Sequence, residues 1–307
     1  MISHAIHLDG QKLNLSNLDK VLYPAAGFTK ADVIDYYSRI APVLLPHLKD
    51  RPISLRRYPN GVDGHSFFQK NCPSHHPSWI RTVEMPRSER TDETIDFCMI
   101  GDLPSLIWVA NLASLEIHPY LHYASSRHRP TLIAFDLDPG EGTPFSQCAT
   151  LALRLRELVG EHGLQAHPKT SGGKGLHVYI PLNTAKADYE QTKSYARAVA
   201  AHLVRDDPKG AIDRMSKAAR RGKVFIDWSQ NSMHKTTVAA YSLRARDQPT
   251  VSTPVHWEEV QRWSRSRRRE APRLVAGDVL KRVEKEGDLF GAVLKEKQKV
   301  PAAAAVG

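Results

Sequence analysis

The chain has 307 residues, and 43 lysines and arginines stand against 33 aspartates and glutamates, a net charge of +10 at neutral pH. With 41% apolar and 25% charged residues it has the makings of a sizeable globular core, and no stretch of about 18 uncharged apolar residues offers a membrane span. Excess basic charge in such a chain points to a polyanionic partner, with nucleic acid the first candidate and no membrane partner expected, and the start has no secretory pattern, so a cytoplasmic location is expected.

Residues 1–50 read as a short strand, a turn and a helix. Thr29 is placed to cap a helix carrying Val33, Tyr36, Tyr37 and Ile40 at helical spacing. Lys30 then opens that helix, where a cation opposes the helix dipole and suits an anionic ligand better. Residues 51–70 predict a hairpin turning at Pro59-Asn60-Gly61 and returning through Phe67 and Phe68. Strand alternation sends those two rings to opposite sides, so one is expected to pack inside and the other to face out beside Arg56, Arg57 and Lys70 as a base-stacking platform. The plain alternative puts both rings in the core.

The three cysteines, Cys72, Cys98 and Cys148, are odd in number and far apart, which predicts no disulfide framework. Cys72 lies close to His75 and His76, but no second ligand pair completes a zinc site. A strand is expected at 94–100. Residues 104–117 read as one helix apolar on nearly every face and therefore buried, with His118 and His122 at its end.

The stretch 131–140, TLIAFDLDPG, is an apolar strand ending in two carboxylates. Alternation puts Asp136 and Asp138 on one face with Cα atoms roughly 6.6 Å apart. Two carboxylates so close repel unless a hard cation such as Mg²⁺ or Mn²⁺ sits between them; alone, the same pattern is a strand closed by an Asp-Pro-Gly turn. A helix follows over 145–160, with Leu151, Leu155 and Leu158 inward.

In KTSGGKGLHVYIPL, the glycines of 171–175 let backbone N–H groups converge on an anion, with Ser171 and Lys174 as side-chain donors. The loop leads into a strand, so it is no Walker A loop. On that strand His177 and Tyr179 share a face. A helix over 188–205 is capped by Asp188. The pattern of strand and terminal carboxylate then repeats in VFIDWSQNS at Asp227, and three carboxylates at strand ends fit a two-metal site. A strand over 240–246 places Arg244 and Arg246 on one face, where guanidinium forks suit phosphates.

Taken together, LDKVLYP, RRYPNGVDG with FFQK, LEIHP, FDLDPGEG, TSGGKGLHVY, KVFIDWSQNS with KTT, and YSLRAR resemble, in order over roughly 15–290, the polymerase domain of bacterial ligase D, a branch of the archaeo-eukaryotic primase superfamily. The resemblance implies an α/β primase-polymerase-like fold, mixed β-sheets enclosing a cleft with flanking helices. It implies templated addition of nucleotides, ribonucleotides by preference, to primer 3′ ends at gaps and breaks in non-homologous end joining. Asp136, Asp138 and Asp227 would hold two Mg²⁺ or Mn²⁺ ions. Ser171, Lys174, His177, Arg244, Arg246 and His118 would meet the incoming nucleotide. Phe67 and Phe68 would meet the template, Lys70 would bind DNA beside them, and Lys20 and Lys30 would meet the 5′-phosphate of gapped DNA.

Expected partners are primer-template DNA, NTP or dNTP, ligase and phosphoesterase domains of the same polypeptide and the Ku end-binding protein, in the bacterial nucleoid. The expected organisation is a domain over 1–290, divided consecutively at about 125 and 250, and a linker-like tail over 291–307 too poor in apolar surface to order itself. Two rivals share parts of the pattern: a two-metal DNA nuclease, which has no use for the glycine loop, and an inactive DNA-end-binding module, which leaves the carboxylates unexplained.

Overall fold

The structure is a computed structural model and describes residues 3–88, 91–184, 186–216 and 218–306; Lys217 of the basic run thus lies outside the described residues. The chain forms two compact units, each assembled from separated segments. One comprises Met1–Tyr120, Thr236–Ser252 and Leu274–Asp288; the other comprises Leu121–Lys235, Thr253–Arg273 and Leu289–Gly307. The segments interleave, where the sequence suggested consecutive parts. No described helix is long and apolar enough to cross a membrane.

The first unit is organised around the helix Lys30–Leu48 and a set of antiparallel strands. The cap is as expected: Thr29 Oγ1 accepts from the Asp32 amide, and the Asp32 carboxylate accepts from the Thr29 amide at 2.7 Å. Val33, Tyr36, Tyr37 and Ile40 are buried, and the two tyrosine hydroxyls donate to the Tyr241 and Leu115 carbonyls. Strand Pro52–Arg57 is the hub of the unit's sheet. It pairs antiparallel with Phe67–Gln69, Thr91–Met99 and Ser114–Pro119, and Thr91–Met99 also pairs with Thr82–Ser88.

Three expectations need correction here. The helix read over 104–117 stops at Asn111: Ala113 takes a left-handed φ of 56°, and Ser114–Pro119 becomes a fully buried strand paired with Pro52–Arg57. An apolar run of that length satisfies helix or buried strand equally, and long-range pairing decides. His118 therefore belongs to a strand. The strand expected over 240–246 shrinks to Leu243–Ala245, leaving Arg246 exposed in the following bend.

Cys72 and Cys98 form a disulfide, so Cys72 is no zinc ligand. Asn71 bridges Phe97 and the Cys72 amide donates to the Asp96 carbonyl, which brings residue 72 alongside a strand 26 positions later. Sequence separation carries no trace of that register.

In the second unit a five-stranded sheet runs in the order His167–Thr170, Leu176–Pro181, Leu132–Pro139, Val224–Asp227, Ala211–Ile212; only the last pair is parallel. The middle strand, LIAFDLDP, is apolar up to its carboxylates because a central strand is covered on both faces. Helices Phe145–Glu161 and Tyr189–Asp206 pack against it. The Asp188–Gln191 capping box starts the second of these.

The tail also departs from expectation. The Gln298 side chain donates to the Gln165 and Pro181 carbonyls, its amide donates to Leu182, and Val306 is buried with its carbonyl bonded to His202. Backbone and amide hydrogen bonds seat a segment whose composition offers little apolar area.

The Cys72–Cys98 bridge generates a stability prediction. Closing a loop of this size restricts the unfolded chain and is worth about 2–4 kcal/mol. Urea unfolding of the air-oxidised protein should therefore show a higher midpoint than unfolding in excess dithiothreitol, and the double variant Cys72→Ala, Cys98→Ala should not respond to the reductant.

Candidate active site

In the second unit, strand register assembles the acidic site. Asp136 faces His177 on one neighbouring strand and Asp227 on the other, and His177 in turn faces Lys169. Residues paired directly across a sheet share a face, so Lys169, His177, Asp136 and Asp227 form one row across four strands. Asp138 joins that face two positions along. His177 Nε2 lies 3.3 Å from Asp136 Oδ1.

The electrostatics are those of a crowded anionic site. Asp138 is pushed up to about 6, first by the charge on Asp136 and next by burial, with His177 and Arg220 acting the other way. Asp227 is turned to its own chain: Oδ1 accepts from the Ser229 amide (2.9 Å) and hydroxyl (2.5 Å), and Oδ2 accepts from Gln230 Nε2 (2.8 Å). Asn231 fixes this turn, since its amide pairs with both the N–H and the C=O of Ala134 on the acidic strand, each at 2.8 Å.

Among the described residues no three side chains stand ready as a metal-ligand cluster. Asp136 and Asp138 nevertheless fit a hard divalent cation, for they are adjacent oxygen donors whose mutual repulsion such an ion would relieve. Asp227 lies across from Asp136 but spends both acceptor sites of Oδ1 on Ser229, so a cation would find only the site that Gln230 leaves on Oδ2.

The glycine loop lies against these carboxylates. A Cβ on Gly175 would fall 2.0 Å from the Leu137 carbonyl and 3.2 Å from Asp138 Oδ1, so only glycine lets the loop cross the acidic strand there. Ser171 closes the loop internally: its Oγ accepts from the Gly173 and Gly175 amides, each at 3.1 Å. Those two N–H groups therefore point at Ser171 and not outward, which changes the expected cradle. With its lone pairs engaged, the Ser171 hydroxyl acts as a donor. Lys174 is exposed at the loop's tip. Lys169 was missed by sequence reasoning; it is fully buried, with Nζ 5.2 Å from the centre of the Tyr179 ring.

The first unit holds a second polar cluster. Register places Phe68, Arg56 and Glu116 in one row across three strands, and His118 follows Glu116 on the same face. Glu116 is buried and receives His118 Nε2 at 3.0 Å, the Ala245 amide at 3.1 Å and Arg244 Nε at 3.2 Å, while Arg56 Nη1 stands 3.9 Å away. Burial raises its carboxyl, but these donors outweigh it and bring the group down to about 2; burial lowers His118. Arg56 was expected beside the exposed ring but not in this cluster, and Glu116 was not singled out in the sequence, although a lone glutamate inside an apolar run was the available signal.

Phe67 and Phe68 do face opposite sides, but neither packs inside: they are 38% and 57% exposed, which removes both the half-buried and the core expectation. Arg57 lies over the Phe67 ring and Arg56 over that of Phe68. Lys70, just beyond, is half-buried. Lys20 and Lys30 come together, as the Lys30 amide donates to the Lys20 carbonyl at 2.8 Å. Lys30 is buried rather than splayed at a helix start; its Nζ donates to the Ser16 carbonyl at 2.6 Å. Burial, then Lys20 and Arg57, lower its amine to about 8.

The family model for the LigD primase-polymerase domain matches residues 29–290. The multifunctional non-homologous end joining protein LigD of Mycolicibacterium smegmatis is 42% identical over 282 residues, covering 91% of this chain and 36% of that protein. The bifunctional non-homologous end joining protein LigD of Bacillus subtilis is 32% identical over 250 residues, covering 81% of this chain and 40% of that protein. The chain thus spans less than half the length of these curated relatives.

The solved polymerase domain from Mycobacterium tuberculosis ligase D in complex with DNA matches with a TM-score of 0.85 at 36% identity, covering 93% of this chain and 99% of that one. Match length, identity and the mixed α/β fold agree: this chain belongs to the LigD primase-polymerase domain family.

Proposed function

We propose that this chain is a template-directed nucleotidyltransferase that adds nucleotides, ribonucleotides by preference, to primer 3′ ends at gaps and breaks in DNA. It would work within a larger end-joining protein, alongside ligase and phosphoesterase domains and the Ku end-binding protein. The observation that carries this reading is the pair Asp136 and Asp138 with the glycine loop pressed against Asp138, carboxylates for cations beside donors for phosphate. The names of the relatives, and the DNA held by the similar polymerase structure, support the setting.

Asp136, Asp138 and Asp227 would hold Mg²⁺ or Mn²⁺, two ions in all. Bound there, such ions neutralise triphosphate charge and lower the pKa of the primer 3′-hydroxyl. His177 orients Asp136 through their 3.3 Å contact. Ser171 and Lys174 donate to the triphosphate, and Arg244 and His118 are assigned to nucleotide binding, with Arg246 a peripheral contact. Phe67 and Phe68, exposed and backed by arginines, stack template bases, while Lys70, Lys20 and Lys30 contact phosphates, the last two at the 5′ end across a gap.

Primer extension tests the whole. Incubation of primed DNA with NTP or dNTP and with Mg²⁺ or Mn²⁺ should lengthen the primer; shortened primers would instead establish a nuclease, and unchanged primers a binding module. Asp138→Asn should abolish extension while DNA affinity stays within about twofold, because affinity rests on lysine and arginine contacts to phosphates.

Arg244→Ala should raise the KM for nucleotide by about tenfold or more, as a lost charge-assisted contact of roughly 1.5–3 kcal/mol demands, and change primer-template Kd much less. Equal losses would move Arg244 to the DNA.

The lysine pair yields a pH-dependent expectation. Its sign follows from the buried amine: protonated below about 8, Lys30 attracts phosphate, and above that value it becomes neutral. Gapped DNA with a 5′-phosphate should bind about tenfold tighter than the 5′-hydroxyl form near neutral pH. That preference should shrink as pH rises through 8–9 and vanish in Lys20→Ala, Lys30→Ala. Fluorescence anisotropy titrations at several pH values measure it directly.

A further inference from the structure

Glu116 is a buried carboxylate with more claimants than a packing role needs. Its side chain is 2% exposed, and it gathers His118, Arg244 and the Ala245 amide within 3.2 Å and Arg56 within 3.9 Å. Removing a buried charge from such a set leaves its cations facing one another, so the cluster holds together only around this residue. Two of its partners lead elsewhere. The Arg56 guanidinium lies 5.3 Å from the centres of both Tyr58 and Phe68, and the Phe68 ring meets His118 edge-on at 5.4 Å. One carboxylate thus touches the proposed nucleotide contacts Arg244 and His118 and, through Arg56, steadies the exposed ring assigned to the template.

We infer that Glu116 is a positioning residue that couples nucleotide binding to template binding. The inference rests on the polymerase reading above. Arg244 and Arg56 repel each other across the carboxylate they share. A triphosphate on Arg244 offsets part of that cation's charge, which strengthens the hold of Glu116 on Arg56 and steadies the Phe68 ring stacked on it. Linkage is reciprocal, so DNA stacked on Phe68 must favour nucleotide by the same factor.

The test uses the purified chain with Mn²⁺, a fluorescent ATP analogue and a primer-template DNA. In the wild type, bound DNA should tighten nucleotide binding by about fivefold or more, within the usual range of coupled sites. Glu116→Gln keeps the shape and removes the charge. It should bring that ratio to within about twofold of unity and raise the nucleotide KM by about tenfold, while kcat at saturating nucleotide changes by less than about threefold.

A purely structural role would instead lower kcat through a smaller folded fraction, with KM and the ratio unchanged, and that result overturns the inference. Should Glu116→Gln fail to fold, Arg56→Met breaks one spoke at a partly exposed position. It should lose the coupling while nucleotide affinity without DNA holds within about twofold; retained coupling overturns the inference. The outcomes separate cleanly, because a wild type unable to extend primers overturns the polymerase reading itself. Wild-type extension with coupling intact in the variants overturns only the role of Glu116.

Discussion

Everything in the acidic site depends on the register that sets Asp136 opposite Asp227 on one side and His177 on the other. A slip of one residue in either pairing would send the partner side chain to the opposite face of the sheet. The apolar run before Asp136, buried on the central strand, fixes that register, and Asn231 reinforces it by pairing with both backbone groups of Ala134. Hydrophobic burial thus holds in place an arrangement of charges that electrostatics alone would push apart.

The two units use buried carboxylates in opposite ways. Glu116 is surrounded by donors and held near 2, a charge fully accommodated by its neighbours. Asp138 is raised toward 6 because the charge that acts on it most is that of another carboxylate, with burial next. The first arrangement is complete within the chain; the second leaves two carboxylates repelling each other, which a bound cation would relieve. A protein whose positive charge exceeds its negative by 10 nevertheless keeps these acids together, which marks the cluster as something other than a by-product of composition.

Much of this was legible in the sequence because it follows from local periodicity. Alternation put Asp136 with Asp138 and sent Phe67 and Phe68 to opposite sides, and cap chemistry located the helices starting at Lys30 and Tyr189. What escaped was set by pairing between distant segments. The run 104–117 is helix-compatible throughout, yet its second half is claimed by Pro52–Arg57. The same pairing brought Glu116 beside Arg56, and a bridge between Asn71 and Phe97 joined two cysteines that looked unrelated. Ser171 is a different case: whether its oxygen faces a ligand or its own loop amides is a matter of a single rotamer.

The interleaving of the two units bears on how the protein folds as it is made. The chain passes between units at 120/121, 235/236, 252/253, 273/274 and 288/289. Tyr36 and Tyr37, buried in the first helix, find hydroxyl partners in Tyr241 and Ser242, some 205 positions later. During synthesis at about 5–20 residues per second, those phenols wait many seconds for the segment that satisfies them. Neither unit is a contiguous piece that could finish alone on the ribosome. Contacts this distant in sequence also slow folding in general, because the loop between them must be closed before any pairing rewards it. Completion of either unit therefore waits for segments made late in synthesis.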